Sequence, residues 1–179
     1  MGCTPVSTGV GATLRTLAAA CGAKAVAEVG TGAGVSGLWL LAGMSDDAVL
    51  TTIDFESEYH RVARAAFSAA GMRSPRTRLI TGRALDVLPR MASRAYDLML
   101  LDGNPNENPQ YVEHASRMLR RGGLLIVAHA LWHDHVADPA RREPDTVAMR
   151  QLIKDVSESP DWITQVLPVG DGLLVAVRR

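Results

Sequence analysis

Glycines at 30, 32 and 34, an acid just before them at Glu28 and a second acid at Asp54 form the most informative spacing in this chain. The apolar run Ala25-Val26-Ala27-Glu28-Val29 stops abruptly at Gly30, and the segment from Val35 to Met44 reads as a helix. A strand, a glycine turn and a helix in succession put bare backbone amides and the positive end of a helix dipole into one crevice. An anionic or carboxylate-bearing cofactor can approach closely there. Beyond it a second apolar run, Val49-Leu50-Thr51-Thr52-Ile53, ends in Asp54. An acid at the tip of the second strand is placed to hold a pair of ribose hydroxyls.

A glycine turn alone needs no ligand, because loops use glycine for geometry. The acid at the next strand end is what favours a nucleoside cofactor. The spacing also discriminates between cofactors. A dinucleotide turn follows G-x-G-x-x-G, whereas here the third glycine comes one position early and Val35 holds the usual place. A glutamate two residues before the first glycine is likewise unusual for a dinucleotide site.

The elements that must position these residues alternate along the chain. Helices are expected from about Gly9 to Ala20, Glu56 to Ala70, Ala84 to Ala92, Gln110 to Leu119 and Val147 to Glu158. Between them, Thr77–Thr81, Tyr96–Asp102 and Leu124–Ala128 read as strands three, four and five. Gly103 to Pro109 is expected to be irregular, and Leu131 to Asp145 a polar, histidine-bearing loop. Trp162–Leu167 and Leu173–Val177, joined by Pro168-Val169-Gly170-Asp171-Gly172, read as an antiparallel hairpin. The pattern predicts an α/β fold: a mostly parallel seven-stranded sheet with a C-terminal antiparallel hairpin and helices on both faces.

At 179 residues the chain is expected to form a single domain over 1–179. Nineteen basic residues against nineteen acidic ones make no electrostatic case for nucleic acid or a membrane surface. Cys3 and Cys21 are too few for a disulfide framework or a zinc site. No apolar stretch reaches membrane-spanning length and no signal peptide is evident. A cytoplasmic protein is the expectation.

Taken together, Glu28 to Gly34, Thr52-Ile53-Asp54, Asp97 to Asp102, Leu119 to Gly123 and Leu131-Trp132-His133 make the chain resemble a class I S-adenosylmethionine-dependent methyltransferase. More narrowly, it is similar to the small O-methyltransferases of the caffeoyl-CoA and catechol type, in their actinobacterial-looking branch. The resemblance covers nearly the whole chain and implies a Rossmann-like class I methyltransferase fold. It implies that Glu28, Gly30, Thr31, Gly32 and Gly34 line the methionine and ribose portion of S-adenosylmethionine. Ser36 would bond its carboxylate, Asp54 the ribose hydroxyls, and Gly82, Arg83 and Ala84 would follow the adenine edge. Asp102 would lie under the sulfonium. Two readings stay open at two of these positions: Ser36 as a helix cap, and Arg83 as a solvated loop arginine.

The sequence departs from that family at the acceptor side. Metal-dependent members hold magnesium with the aspartate closing strand four and an Asp-Asn pair closing strand five. Asp102 matches the first ligand, but Ala128-His129 stands at the pair. Alanine has no ligand atom, and imidazole suits zinc, copper or nickel better than magnesium. The lysine expected just after the strand-four aspartate is replaced by Gly103-Asn104-Pro105. The expectation is therefore no metal. A histidine titrating near neutrality can take a proton without one, and His129, directly after strand five, is the candidate base, with Asp102 beside it. A loop histidine with no task is the plain alternative. A transition-metal site from Asp102, His129 and His133 is a weaker one.

Family members also carry extra helical turns before the segment like Pro5–Gly9, which cover the substrate and build a dimer. Met1-Gly2-Cys3 starts almost on that segment, so a more open acceptor pocket is expected and a homodimer stays open. The reading is an O-methyltransferase acting on a small hydroxylated acceptor, phenols included. The alternatives are an S-adenosylmethionine-binding protein without activity and, less favoured by the glycine spacing, an NAD(P)-dependent oxidoreductase.

Overall fold

Apolar runs buried on both sides dictate the centre of the molecule. In the computed structural model, which describes residues 4–72 and 74–179, seven strands form one sheet. They are β1 (Ala25–Val29), β2 (Val49–Asp54), β3 (Thr77–Thr81), β4 (Tyr96–Leu101), β5 (Leu119–Ala128), β6 (Trp162–Leu167) and β7 (Leu173–Arg178), in the order β3-β2-β1-β4-β5-β7-β6. The first five strands are parallel, and β7 inserts antiparallel between β5 and β6. The expected sheet and terminal hairpin are both present.

Alternation along each strand separates two cores. In β4, Leu98 and Leu100 join Val26, Leu50 and Ile126 on one face, while Met99 and Leu101 join Ala27, Leu125 and Val127 on the other. The first face is covered by α1 (Thr8–Ala20), α2 (Val35–Gly43) and α3 (Ser57–Ala69) through Leu14, Leu40 and Phe67. The second is covered by the short α4 (Ala84–Val87), α5 (Asn108–Met118) and α6 (Pro144–Glu158), through Ala84, Met118 and Met149 among others.

Four boundaries differ from expectation, one of them the start of α6, at Pro144 instead of Val147. Residues 103–109 are not wholly irregular: Pro105–Glu107 makes a 3₁₀ turn and α5 already begins at Asn108. Proline is tolerated in a helix's first turn, where its missing N–H has no partner to lose, so Pro109 and Pro144 open helices. The helix expected over 84–92 breaks into α4 and a 3₁₀ turn at Leu88–Arg90. β5 starts at Leu119 rather than Leu124, with a register irregularity between Tyr96 and Leu98 and a positive φ at Gly122.

Cys3, with Met1 and Gly2, lies outside the described residues, and Cys21 is a free thiol. Among the described residues no helix is long and apolar enough to cross a membrane.

Candidate functional site

The strand order reverses between β1 and β4, and a crevice opens at the carboxyl ends of the strands there, as open α/β sheets require. It encloses about 750 Å³. The glycine turn makes its floor: Gly30 and Gly32 have φ of 94° and 47°, and Gly34, at 86°, precedes α2 as its N-cap. Gly30, Thr31, Gly32 and Ser36 line the crevice, with Asp54 at one side, Gly82, Arg83 and Ala84 beyond it, and Asp102 and His129 at the other end.

Asp54 is held by two backbone amides. Its Oδ2 accepts from Gly32 N–H at 3.0 Å and its Oδ1 from Glu56 N–H at 3.0 Å. Each oxygen keeps a second lone pair for a ligand hydroxyl. Phe55, an exposed ring beside it, also lines the crevice. Arg83 is largely exposed and pairs with Glu107 at 3.3 Å.

Glu28 and Gly34 lie off the crevice wall, and of the two readings of Ser36 the helix cap falls away. Glu28 is fully buried and is absent from the crevice wall; it lies among side chains beneath the turn. Its Oε1 accepts from Ser36 Oγ and its Oε2 from Thr52 Oγ1, both at 2.6 Å. Burial lifts this carboxyl to about 7 against the pull of those two bonds. Ser36 therefore does not cap α2, which has no side-chain cap; its hydroxyl proton is committed to Glu28. Gly34 packs against α3 instead of lining the wall: a Cβ there would sit 3.0 Å from that of Ala63.

The network under the turn runs further than spacing suggested. Thr52 Oγ1 lies 2.7 Å from Thr31 Oγ1, which is 3.1 Å from His60 Nε2, and His60 Nδ1 is 2.9 Å from Thr81 Oγ1. Burial lowers the His60 pKa, so the ring is neutral near pH 7. His60 and Thr31 thereby tie the glycine turn to α3 and β3. Nothing in the sequence marks His60, since it falls on a helix with no motif.

At the other end, His129 carries the chain out of β5 with a φ of 56°. Its Nε2 lies 3.5 Å from Asp102 Oδ1 and its Nδ1 lies 2.9 Å from Asp171 Oδ2. Burial raises the Asp102 carboxyl, opposed by His129. Asp171, in the β6–β7 turn, escaped the sequence reading because only the hairpin register brings it here. Trp132 and Tyr111 complete this end of the wall, and the Tyr111 hydroxyl donates to Glu107. His133 is mostly exposed and turns toward Asp171, at 3.8 Å. It makes no set with Asp102 and His129.

A parallel sheet in this order, with a glycine turn after β1 and an acid ending β2, defines an α/β protein that binds a nucleoside cofactor at its switch point. The chain belongs to the O-methyltransferase family, whose sequence model matches residues 3–179. A relative from Mycobacterium ulcerans, described as an O-methyltransferase, is 51% identical over 173 residues, 97% of this chain and 77% of its own length. A solved Corynebacterium glutamicum structure superposes with a TM-score of 0.90 at 35% identity, over 98% of this chain and 82% of that one. The O-methyltransferase TomG of Streptomyces achromogenes, solved in complex with SAM, has a TM-score of 0.88 at 25% identity, over 97% of this chain and 81% of that one.

The magnesium that the resemblance implies does not fit these residues. Ala128 offers no donor, and His129 Nδ1 is bonded to Asp171. Asp102 and Asp171 face different nitrogens of one imidazole, so the ring itself stands between them. Among the described residues no three His, Cys, Asp or Glu side chains are grouped to hold a metal.

Proposed function

We propose that this chain methylates a hydroxyl of a small acceptor, of the phenol class, using S-adenosylmethionine, and that His129 rather than magnesium handles the acceptor's proton. The observation that carries the reading is the pairing of His129 Nε2 with Asp102 Oδ1 at 3.5 Å, on the same crevice as the glycine turn and Asp54. The bound cofactor supplies an electrophilic methyl group on a sulfonium. The amides of the turn and the start of α2 receive its carboxylate end, Asp54 its ribose hydroxyls, and Phe55 offers a ring face to its base.

The acceptor hydroxyl is placed by Trp132, Asp102 and His129. With the cofactor bound, the acceptor oxygen would meet the electrophilic methyl group, and His129 Nε2 would take that oxygen's proton. Asp102, whose carboxyl burial disfavours as an anion, gains most from the charge this forms on the imidazole.

Turnover of a phenol panel (catechol, caffeate and simple phenols) in chelator and in magnesium tests this. Expected are equal rates in both and a loss of about 10²-fold or more in His129→Ala, with cofactor affinity by calorimetry unchanged. Full turnover by His129→Ala would sink the base; inhibition by chelator would sink metal independence. Cofactor binding with no turnover across the panel would favour a second reading, a cofactor-binding protein without catalysis, which the missing donor at Ala128 motivates.

A further inference from the structure

The loop leaving β5 is bent against its preference. His129, Trp132, His133 and Asp134 all have positive φ, a region that costs side-chain-bearing residues about 1 kcal/mol or more each. The β6–β7 turn is what holds it. The Asp171 carbonyl accepts from Leu131 N–H at 2.9 Å and the Gly172 carbonyl from Ala130 N–H at 3.0 Å. The Asp171 side chain adds two more bonds: Oδ1 accepts from His133 N–H at 2.6 Å and Oδ2 meets His129 Nδ1 at 2.9 Å.

A carboxylate only accepts, so this last bond places the imidazole's proton on Nδ1. The neutral ring then presents a bare lone pair at Nε2. That nitrogen is the one that faces Asp102 and the crevice. The gap between Nε2 and Asp102 Oδ1 thus joins two acceptors and takes one proton.

We propose that Asp171 is a positioning residue: it fixes His129 in the tautomer and orientation in which Nε2 can receive the acceptor's proton. The proposal rests on the reading of His129 as base. It assigns to the β6–β7 hairpin turn a part in methyl transfer, and it explains how an imidazole can serve in a loop whose backbone is strained. A side chain that oriented only the loop would need the His133 amide bond alone.

Asp171→Asn separates the two roles. It retains an oxygen for the His133 amide but sets an NH₂ group against His129 Nδ1, which reverses the tautomer. Nitrogen-15 NMR of the His129 ring should show the proton on Nδ1 in the wild-type chain and on Nε2 in Asp171→Asn. With the panel phenol that the wild type turns over fastest, kcat should fall roughly 10²-fold in the variant, with KM for S-adenosylmethionine unchanged. A wild-type proton on Nε2 overturns the proposal, and needs no variant to fold. Wild-type kcat in Asp171→Asn overturns it too, while the base reading survives if His129→Ala is inactive. Full turnover by His129→Ala removes the base reading and the proposal with it.

Discussion

Gly30 lies so close to Asp102 that a Cβ built on it would sit 2.1 Å from the Asp102 carbonyl oxygen and 2.7 Å from its carbon. The two residues follow neighbouring parallel strands, and Asp102 N–H donates to the Val29 carbonyl at 2.9 Å, extending the ladder to the crevice edge. The closeness of the backbones sets where the Asp102 carboxylate stands relative to the glycine turn.

Gly30→Ala should be severely destabilising. The new methyl strikes backbone that cannot rotate away, and φ of 94° disfavours any side chain. Overpacking and strain together amount to roughly 3 kcal/mol or more, a fall in Tm of about 10 °C for a chain of this size. Thermal unfolding checks it; a Tm within 2 or so degrees of wild type, on the order of 1 kcal/mol or less, would show that the strand ends can part.

Asp54 is expected to act on affinity more than on stability. Asp54→Asn keeps one oxygen to accept from a backbone amide but loses the charge and one acceptor for the ribose diol. S-adenosylmethionine affinity by calorimetry should fall about 10- to 100-fold, the worth of one or two hydrogen bonds to a charged group. Unchanged affinity would remove Asp54 from the cofactor site.

What was legible in the sequence follows from range. β1 over Ala25–Val29 and β4 from Tyr96 to Leu101 stand where the apolar runs put them, because a buried strand announces itself locally. The glycine turn and Asp54 were legible for the same reason: each sits at the end of such a run. Of the two readings of Ser36, the cap fails although serine at a helix start favours capping, because the buried Glu28 on β1 claims its hydroxyl. The link between His129 and Asp171 spans 42 residues and depends on how the hairpin registers on β5. No local pattern encodes that pairing.

Arg76 and Asp46 offer a contrast between buried and exposed charge. Arg76 is buried, and its guanidinium donates to the carbonyls of Leu41, Ser45 and Ala48 at 3.2, 2.9 and 3.5 Å. Arg76→Met removes its bonds to all three carbonyls near the end of α2, of which Ser45 keeps the one from Ala48 N–H, and should cost about 2–3 kcal/mol. Asp46 meets the same guanidinium at 3.8 Å but is 98% exposed, so Asp46→Ala should change stability by less than about 0.5 kcal/mol. Denaturant unfolding of both variants decides it; equal losses would mean the ion pair, not the carbonyl contacts, matters.

Glu28 should give the fold an inverted pH response. Its folded pKa of about 7 lies above the ordinary 4.5, chiefly because burial penalises the anion. Between those two values the folded chain holds a proton that the unfolded chain has released, so this group's contribution declines as pH rises from about 4.5 to 7 and is flat beyond. The full loss is of the order of 3 kcal/mol. Glu28→Gln removes the titration yet can keep the contacts. The amide oxygen accepts from Ser36, the NH₂ donates to Thr52, and Thr52 can turn its own proton to Thr31, 2.7 Å away. Urea unfolding at pH 5 and pH 7.5 should show the variant closing on, or overtaking, the wild type at the higher pH. Parallel pH dependence in the two chains would mean that Glu28 is ionised in the native state throughout, its charge held by Ser36 and Thr52.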